Sequence, residues 1–261
     1  MKFLPYPPED IQGRPMSKPQ NNTLIPLTAG HRERVQDKFL KLSDPGLMPD
    51  YELLELILMK SIPRIDVKPL AKELINHFGT LSDVLSAEPE ELSQFRHVKQ
   101  STIALFKIIL EVNRRTLCHR LKEMPVLERW NDLLDYCCLN LQNQTIEHCM
   151  ILYLDARFRL LRREMPHSGT TDRVFIYPRE ILKQALIVGA SAVVVVHNHP
   201  SGHIEPSEAD QAITVELYHT LAAGRVKLLD HLIIGPGRKV YSFSSHGHLT
   251  VQPKRNTKSS Q

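Results

Sequence analysis

Apolar positions recur at helical spacing through the first half of the chain, and in alternating or continuous runs through the second. Val35, Phe39 and Leu42 fall three or four apart and predict a helix over His31–Leu42. Asp50 stands where it can cap a second helix whose Leu53, Leu54, Ile57 and Leu58 form one stripe. Pro69 suits the first turn of a helix over Leu70–Phe78, and Gly79 suits its C-terminal end. Short helices are predicted over Thr80–Ser86 and Pro89–Phe95. A long one is predicted over Lys99–Lys122, with Ile103, Phe106, Ile109 and Leu110 as its apolar face. Residues 31–125 therefore read as a small helical domain ending at Met124-Pro125.

Beyond Pro125 the period changes. After a helix over Val126–Leu139, Cys149–Leu154 reads as a strand and Phe158–Glu164 as its hairpin partner. Ser168-Gly169-Thr170 is a turn signal. Val174–Tyr177 reads as a short strand, and Pro178–Ile187 as a helix with proline at its start. Ala192–Val196 is a continuous β-branched run, the mark of a strand buried on both faces. A helix over Glu208–Ala223 and strands over Val226–Ile234 and Val240–Phe243 complete a mixed α/β sheet domain over residues 126–245. Residues 1–30, with five prolines before Asn21, read as a disordered tether, and residues 246–261 as a disordered basic tail.

Composition narrows the class. At 42% hydrophobic and 24% charged, the chain is an ordinary globular one. No apolar run approaches the roughly 20 residues of a membrane helix, and the proline-rich start has no secretory core. The formal net charge is +4, but five basic residues and no acid follow Asp230, so the excess is mostly tail. A second basic stretch, Arg96–Lys122, carries a single acid, Glu111. Cys118, Cys137, Cys138 and Cys149 include no C-x-x-C pair. They are expected as reduced thiols of a cytoplasmic protein rather than a disulfide framework or a cysteine zinc site. The missing C-x-x-C, with H-x-H in place of H-x-E, also excludes the zinc nucleobase deaminases.

The candidate chemistry lies directly after the buried run. His197-Asn198-His199-Pro200 is followed by Ser207 and Asp210, which open the next helix. Residues two apart in a strand point the same way, so both imidazoles can face one point. The loop can fold the Asp210 carboxylate back onto them. Two histidines and a carboxylate, with a fourth position for water, is the donor set of a hydrolytic zinc site. Ser207-x-x-Asp210 is equally close to a capping box. A hydrolytic centre also needs a base. Glu147 precedes the apolar run Cys149–Leu154, but spacing does not single it out from Glu164 or Glu180. His246-x-His248, in a polar segment with no buried strand before it, reads as surface.

The stretch from Glu147 to Asp210 is similar to the JAMM/MPN metalloprotease motif. The chain from about residue 31 to 245 resembles the bacterial RadC family, the UPF0758 group. The match runs through Tyr153-Leu154-Asp155, Ser168-Gly169-Thr170, Pro178-Arg179-Glu180, His197 to Gly202, Pro206-Ser207, Asp210, Leu229-Asp230-His231 and Ile234-Gly235. Asp50 to Leu54 and Leu70-Ala71-Lys72 match its helical N-terminal part. The resemblance implies a JAMM/MPN-like mixed sheet flanked by helices, preceded by a helix-hairpin-helix-like domain. It implies His197, His199 and Asp210 as Zn2+ ligands, Glu147 as general base and Ser207 as oxyanion donor. The implied reaction is attack of zinc-polarised water on a peptide or isopeptide carbonyl. The alternative it leaves is a DNA-associated, repair-linked module whose metal site is structural. The chain departs from the family at three places. Phe95-Arg96-His97-Val98-Lys99-Gln100 lacks the Gly-x-Gly of the hairpin, whose glycines serve close backbone approach to phosphate. Tyr177 replaces a histidine. His203-Ile204-Glu205 replaces the usual loop, at a place expected to stand clear of the ligands.

Overall fold

The computed structural model describes residues 30–166 and 176–249. The tether before Gly30, Val174 and Phe175 of the strand expected at Val174–Tyr177, and the tail beyond Leu249 lie outside those residues, and Ile176 and Tyr177 are not in a strand. The described residues divide into two compact units, one ending at Glu73 and the other starting at Leu74.

In the first unit, helix α1 (His31–Lys41) packs on α2 (Asp50–Ser61). Leu54 and Leu58, from the predicted stripe, are fully buried. Asp50 does not cap α2 as expected. Pro49 occupies the cap and Asp50 is the first helical residue, where its charge still favours the helix dipole. Helix α3 (Lys68–Phe78) begins in this unit and runs into the next.

The second unit continues with α4 (Leu81–Ser86), α5 (Pro89–Leu92) and α6 (Gln100–Glu123). Thr80 caps α4 by accepting a hydrogen bond from the Asp83 N–H at 3.1 Å. Between α5 and α6 the backbone takes the left-handed turn of the hairpin without a glycine, because His97 itself adopts φ 73°. Ile103 and Phe106 of α6 are buried as predicted.

A five-stranded sheet follows among the described residues: β1 (Cys149–Leu154), β2 (Leu160–Glu164), β3 (Ala192–Asn198), β4 (Lys227–Gly235) and β5 (Lys239–Ser242), in the order β2-β1-β3-β4-β5. Only β3 and β4 pair in parallel. Their connection is α9 (Glu208–Ala223), as a parallel crossover requires. α7 (Trp130–Leu141) covers one face of the sheet, and α8 (Pro178–Ile187) and α9 cover the other. Every residue of β3 is buried, as the continuous run implies. Val194 and Val196 join the α7 side, Val193 and Val195 the α8–α9 side. Each such valine is worth roughly 1.5–3 kcal/mol of burial, enough to fix the strand's register, since a one-residue slip would exchange its two faces.

All four cysteines are free, and burial pushes the Cys149 thiol up to about 12 and the Cys138 thiol to about 11. None of the described helices is long and apolar enough to cross a membrane.

Candidate metal centre

The end of β3 places both histidines. His197 is still in the ladder, opposite Cys149 of β1 and Ile233 of β4. The His199 N–H donates to the Ile234 carbonyl at 2.9 Å. The chain then turns: the Gly202 N–H returns to the His199 carbonyl at 3.0 Å, with φ 80°, a conformation suited to glycine. α9 starts at once with a complete capping box. Ser207 Oγ accepts from the Asp210 N–H at 3.2 Å, and Asp210 Oδ2 accepts from the Ser207 N–H at 2.8 Å. The capping expectation and the ligand expectation therefore describe one arrangement, because the box aims the Asp210 carboxylate. Its Oδ1 lies 3.1 Å from His197 Nε2 and its Oδ2 3.5 Å from His199 Nε2, and the two Nε2 atoms are 3.1 Å apart.

Hydrogen bonds behind these groups decide which nitrogens carry protons. Thr214 Oγ1 donates to the Asp210 carbonyl at 2.5 Å, so it accepts from His231 Nδ1–H at 2.6 Å. His231 Nε2 is then an acceptor, and takes the proton of His197 Nδ1 at 2.9 Å. The Nε2 lone pair of His197 is left facing Asp210 and His199. His199 is set in the same way, its Nδ1–H donating to the His203 carbonyl at 2.7 Å. That contact corrects the expectation that the 203–205 loop stands clear of the candidate ligands, since its backbone orients one of them. Ile204 packs close over Gly235, where any Cβ would meet Ile204 Cγ2 at 2.7 Å.

Electrostatics follow the geometry. The Asp210 carboxylate and the His203 carbonyl raise the His199 pKa against burial, with Glu147 adding to the rise. Burial pushes the Asp210 carboxyl up, but when the facing His197 and His199 rings carry a second proton, on Nε2, their hydrogen bonds outweigh it and hold the group well below the usual carboxylate range. Complete burial drives His231 well below the ordinary histidine value, with the His197 charge adding, so His231 is a neutral relay.

Glu147 is exposed just ahead of β1. Cys149 faces His197 in the antiparallel pairing, and that register carried two residues further sets Glu147 opposite His199, consistent with the Glu147 charge raising the His199 pKa. The rival acids are engaged elsewhere. Glu164 accepts from the Tyr153 hydroxyl at 3.0 Å and pairs with Arg162 at 2.8 Å, and Glu180 pairs with Lys183 at 3.1 Å. Ser207 Oγ donates its proton to Asp210 Oδ2 at 2.6 Å. In the second H-x-H, His246 stacks on Tyr241 at 4.1 Å and His248 Nδ1 meets the Tyr241 hydroxyl at 3.2 Å.

Three residues that the sequence reading passed over support the site. His231 and Thr214 form the relay just described. Asn198, between the two ligands, points to the opposite face and ties down the segment carrying Glu147. Its Oδ1 accepts from the His148 N–H at 2.7 Å, and its Nδ2 donates to the Ile146 carbonyl at 3.0 Å and the Gln144 carbonyl at 3.3 Å. A signal existed for His231, an ionisable residue beside Asp230 within the apolar run Leu228–Ile234.

Residues 127–248 match the family model of the RadC-like JAB domain. A UPF0758 protein of Rhodobacter capsulatus is 44% identical over 202 residues, covering 77% of this chain and 94% of that protein. Another, from Ruegeria pomeroyi, is 40% identical over 219 residues, covering 84% of this chain and 97% of its own length. With these relatives aligned over nearly their whole lengths, and with residues 127–248 matching the RadC-like JAB domain, the chain belongs to the RadC (UPF0758) family.

Proposed function

We propose that the chain is a zinc-dependent hydrolase of JAMM type acting on a peptide or isopeptide carbonyl. The observation that carries this reading is the convergence of His197, His199 and Asp210, with the relay through His231 and Thr214 leaving the His197 Nε2 lone pair directed inward. The donor set fits zinc: two imidazole nitrogens and a carboxylate oxygen, each already aimed by a second hydrogen bond. When bound, zinc supplies Lewis acidity and brings the pKa of water down to about 7.

The remaining work falls to the chain. Glu147, across from His199, takes the proton released as water adds to the carbonyl and returns it to the departing amine. Ser207 Oγ turns its proton from Asp210 Oδ2 toward the oxygen on which charge develops. Asp210 holds that hydroxyl within reach while serving as ligand.

Purified protein is expected to hold zinc at this site. The His197→Ala, His199→Ala chain is expected to lose that ion, measured by elemental analysis on folded samples. Equal metal in the two proteins would sink the reading.

A second reading, a DNA-associated module, has one observation of its own. The groove between α6 and β2 is lined by Arg114, Arg115, Lys122, Arg162 and Arg163; Glu111 on the same wall pairs with Arg114 and Arg115, while Arg114 Nε is buried without a hydrogen-bond partner. About four phosphate contacts there would weaken duplex DNA binding roughly 100-fold between about 50 and 200 mM salt. Anisotropy titrations with no binding at the lower salt would end it.

A further inference from the structure

We propose that His31, Glu55 and Asp66 form a second site for a divalent transition-metal ion, independent of the one at the end of β3. The three residues come from separate places in the first unit: the start of α1, the middle of α2 and the segment just ahead of α3. Each offers a ligand atom within 4.8 Å of the other two. One imidazole nitrogen with two carboxylate oxygens is a donor set suited to ions such as zinc or manganese.

Glu55 is the observation that points to a ligand. Its side chain is 1% exposed, in the middle of a helix where acids are seldom fully buried. Oε1 meets His31 Nε2 at 2.7 Å, but Oε2 is buried with no hydrogen-bond partner. An ionised carboxylate with one satisfied oxygen is costly to bury. Arg32, on the same cavity wall as His31 and Asp66, is engaged elsewhere. Arg32 donates to the carbonyls of Met59 at 3.0 Å, Ile62 at 2.7 Å and Ile65 at 2.7 Å. These bonds tie the end of α2 to the segment that carries Asp66. An ion between the three side chains supplies the missing partner and takes the lone pair of His31 Nε2, with the imidazole proton carried on Nδ1.

The approach is open. His31 and Asp66 line a cavity of about 330 Å³ with Arg32, Arg64 and Met59. Asp66 Oδ1 accepts the Lys68 N–H at 3.0 Å, an Asx turn that orients its carboxylate. Three protein ligands leave coordination positions toward the cavity. An ion there would join α1, α2 and the approach to α3, segments otherwise linked in sequence by short loops.

The test counts zinc in full-length chains after dialysis from zinc-containing buffer, with circular dichroism as the check on folding. Wild type is expected to hold two ions, the His197→Ala, His199→Ala chain one, and the Asp66→Asn chain one. The chain combining all three changes is expected to hold none. Asp66 is exposed, so Asp66→Asn leaves the buried pair in place and its fold is not at stake. Glu55→Gln, nearly isosteric, is expected to match Asp66→Asn. A folded His197→Ala, His199→Ala chain with no zinc would overturn the proposal, as would two ions retained in both Asp66→Asn and Glu55→Gln. A wild-type chain whose one ion is lost in Asp66→Asn but kept in His197→Ala, His199→Ala would uphold this site and remove the hydrolase reading instead.

Discussion

Glu147→Gln is expected to lower kcat by about 10²–10⁴-fold, the range set by loss of a positioned general base. Zinc content should stay at its wild-type value. Glutamine keeps the length and hydrogen-bonding ability of the side chain and removes only its capacity to take a proton. Glu147 is exposed and lies outside the ligand cluster, so the change should not disturb the metal. The assay is cleavage across peptide and isopeptide libraries by zinc-loaded wild type and variant, read beside zinc per chain. Unchanged turnover would remove Glu147 from the base role. Loss of zinc together with turnover would make it a ligand instead. The corresponding changes at Glu164 and Glu180, which are bonded to Tyr153, Arg162 and Lys183, should leave kcat near wild type.

Asn198→Ala is expected to cost stability and rate together. The side chain makes three hydrogen bonds to backbone groups of residues 144–148, and it is 1% exposed. At about 1 kcal/mol for each hydrogen bond, with unpaired backbone groups adding to the loss, the change should destabilise by roughly 3–5 kcal/mol. For a unit of this size each kcal/mol is worth about 2–4 °C, so the melting temperature should fall by roughly 6–20 °C. Rate should fall even at temperatures where the variant is fully folded, because Glu147 is no longer held across from His199. Zinc should remain bound, since Asn198 touches neither ligand side chain. A variant melting at the wild-type temperature would show that the 144–148 segment is fixed by other contacts.

What could be read from residue order was whatever depends on local period. The run Ala192–Val196 had to be buried on both faces, and it is. The H-x-H spacing put two imidazoles on one face, and the helix beginning at Ser207 brought Asp210 to them. Helix ends were less legible. Asp50 has the chemistry of a cap, yet Pro49 takes that position because its fixed φ already suits the entry to a helix. The supporting residues were hidden for a different reason. Asn198, Thr214 and His231 act through partners 17 to 54 residues away, and no spacing rule reaches that far. The hairpin at His97 shows the converse. The glycine that would serve close approach to phosphate is absent, yet His97 takes the left-handed conformation itself, tolerated where the flanking helices fix the chain around it.

Asp210 occupies both ends of one closed circuit. Its carboxylate faces the imidazoles, and its carbonyl, through Thr214 and His231, settles the tautomer of one of them. Both ends belong to the first turn of α9. If that turn unwinds by a single residue, the circuit opens at two points together: an oxygen donor is withdrawn, and His197 loses the partner that kept its proton on the far nitrogen. Metal should enter and leave as a latch closes and opens, with the helix start as its catch.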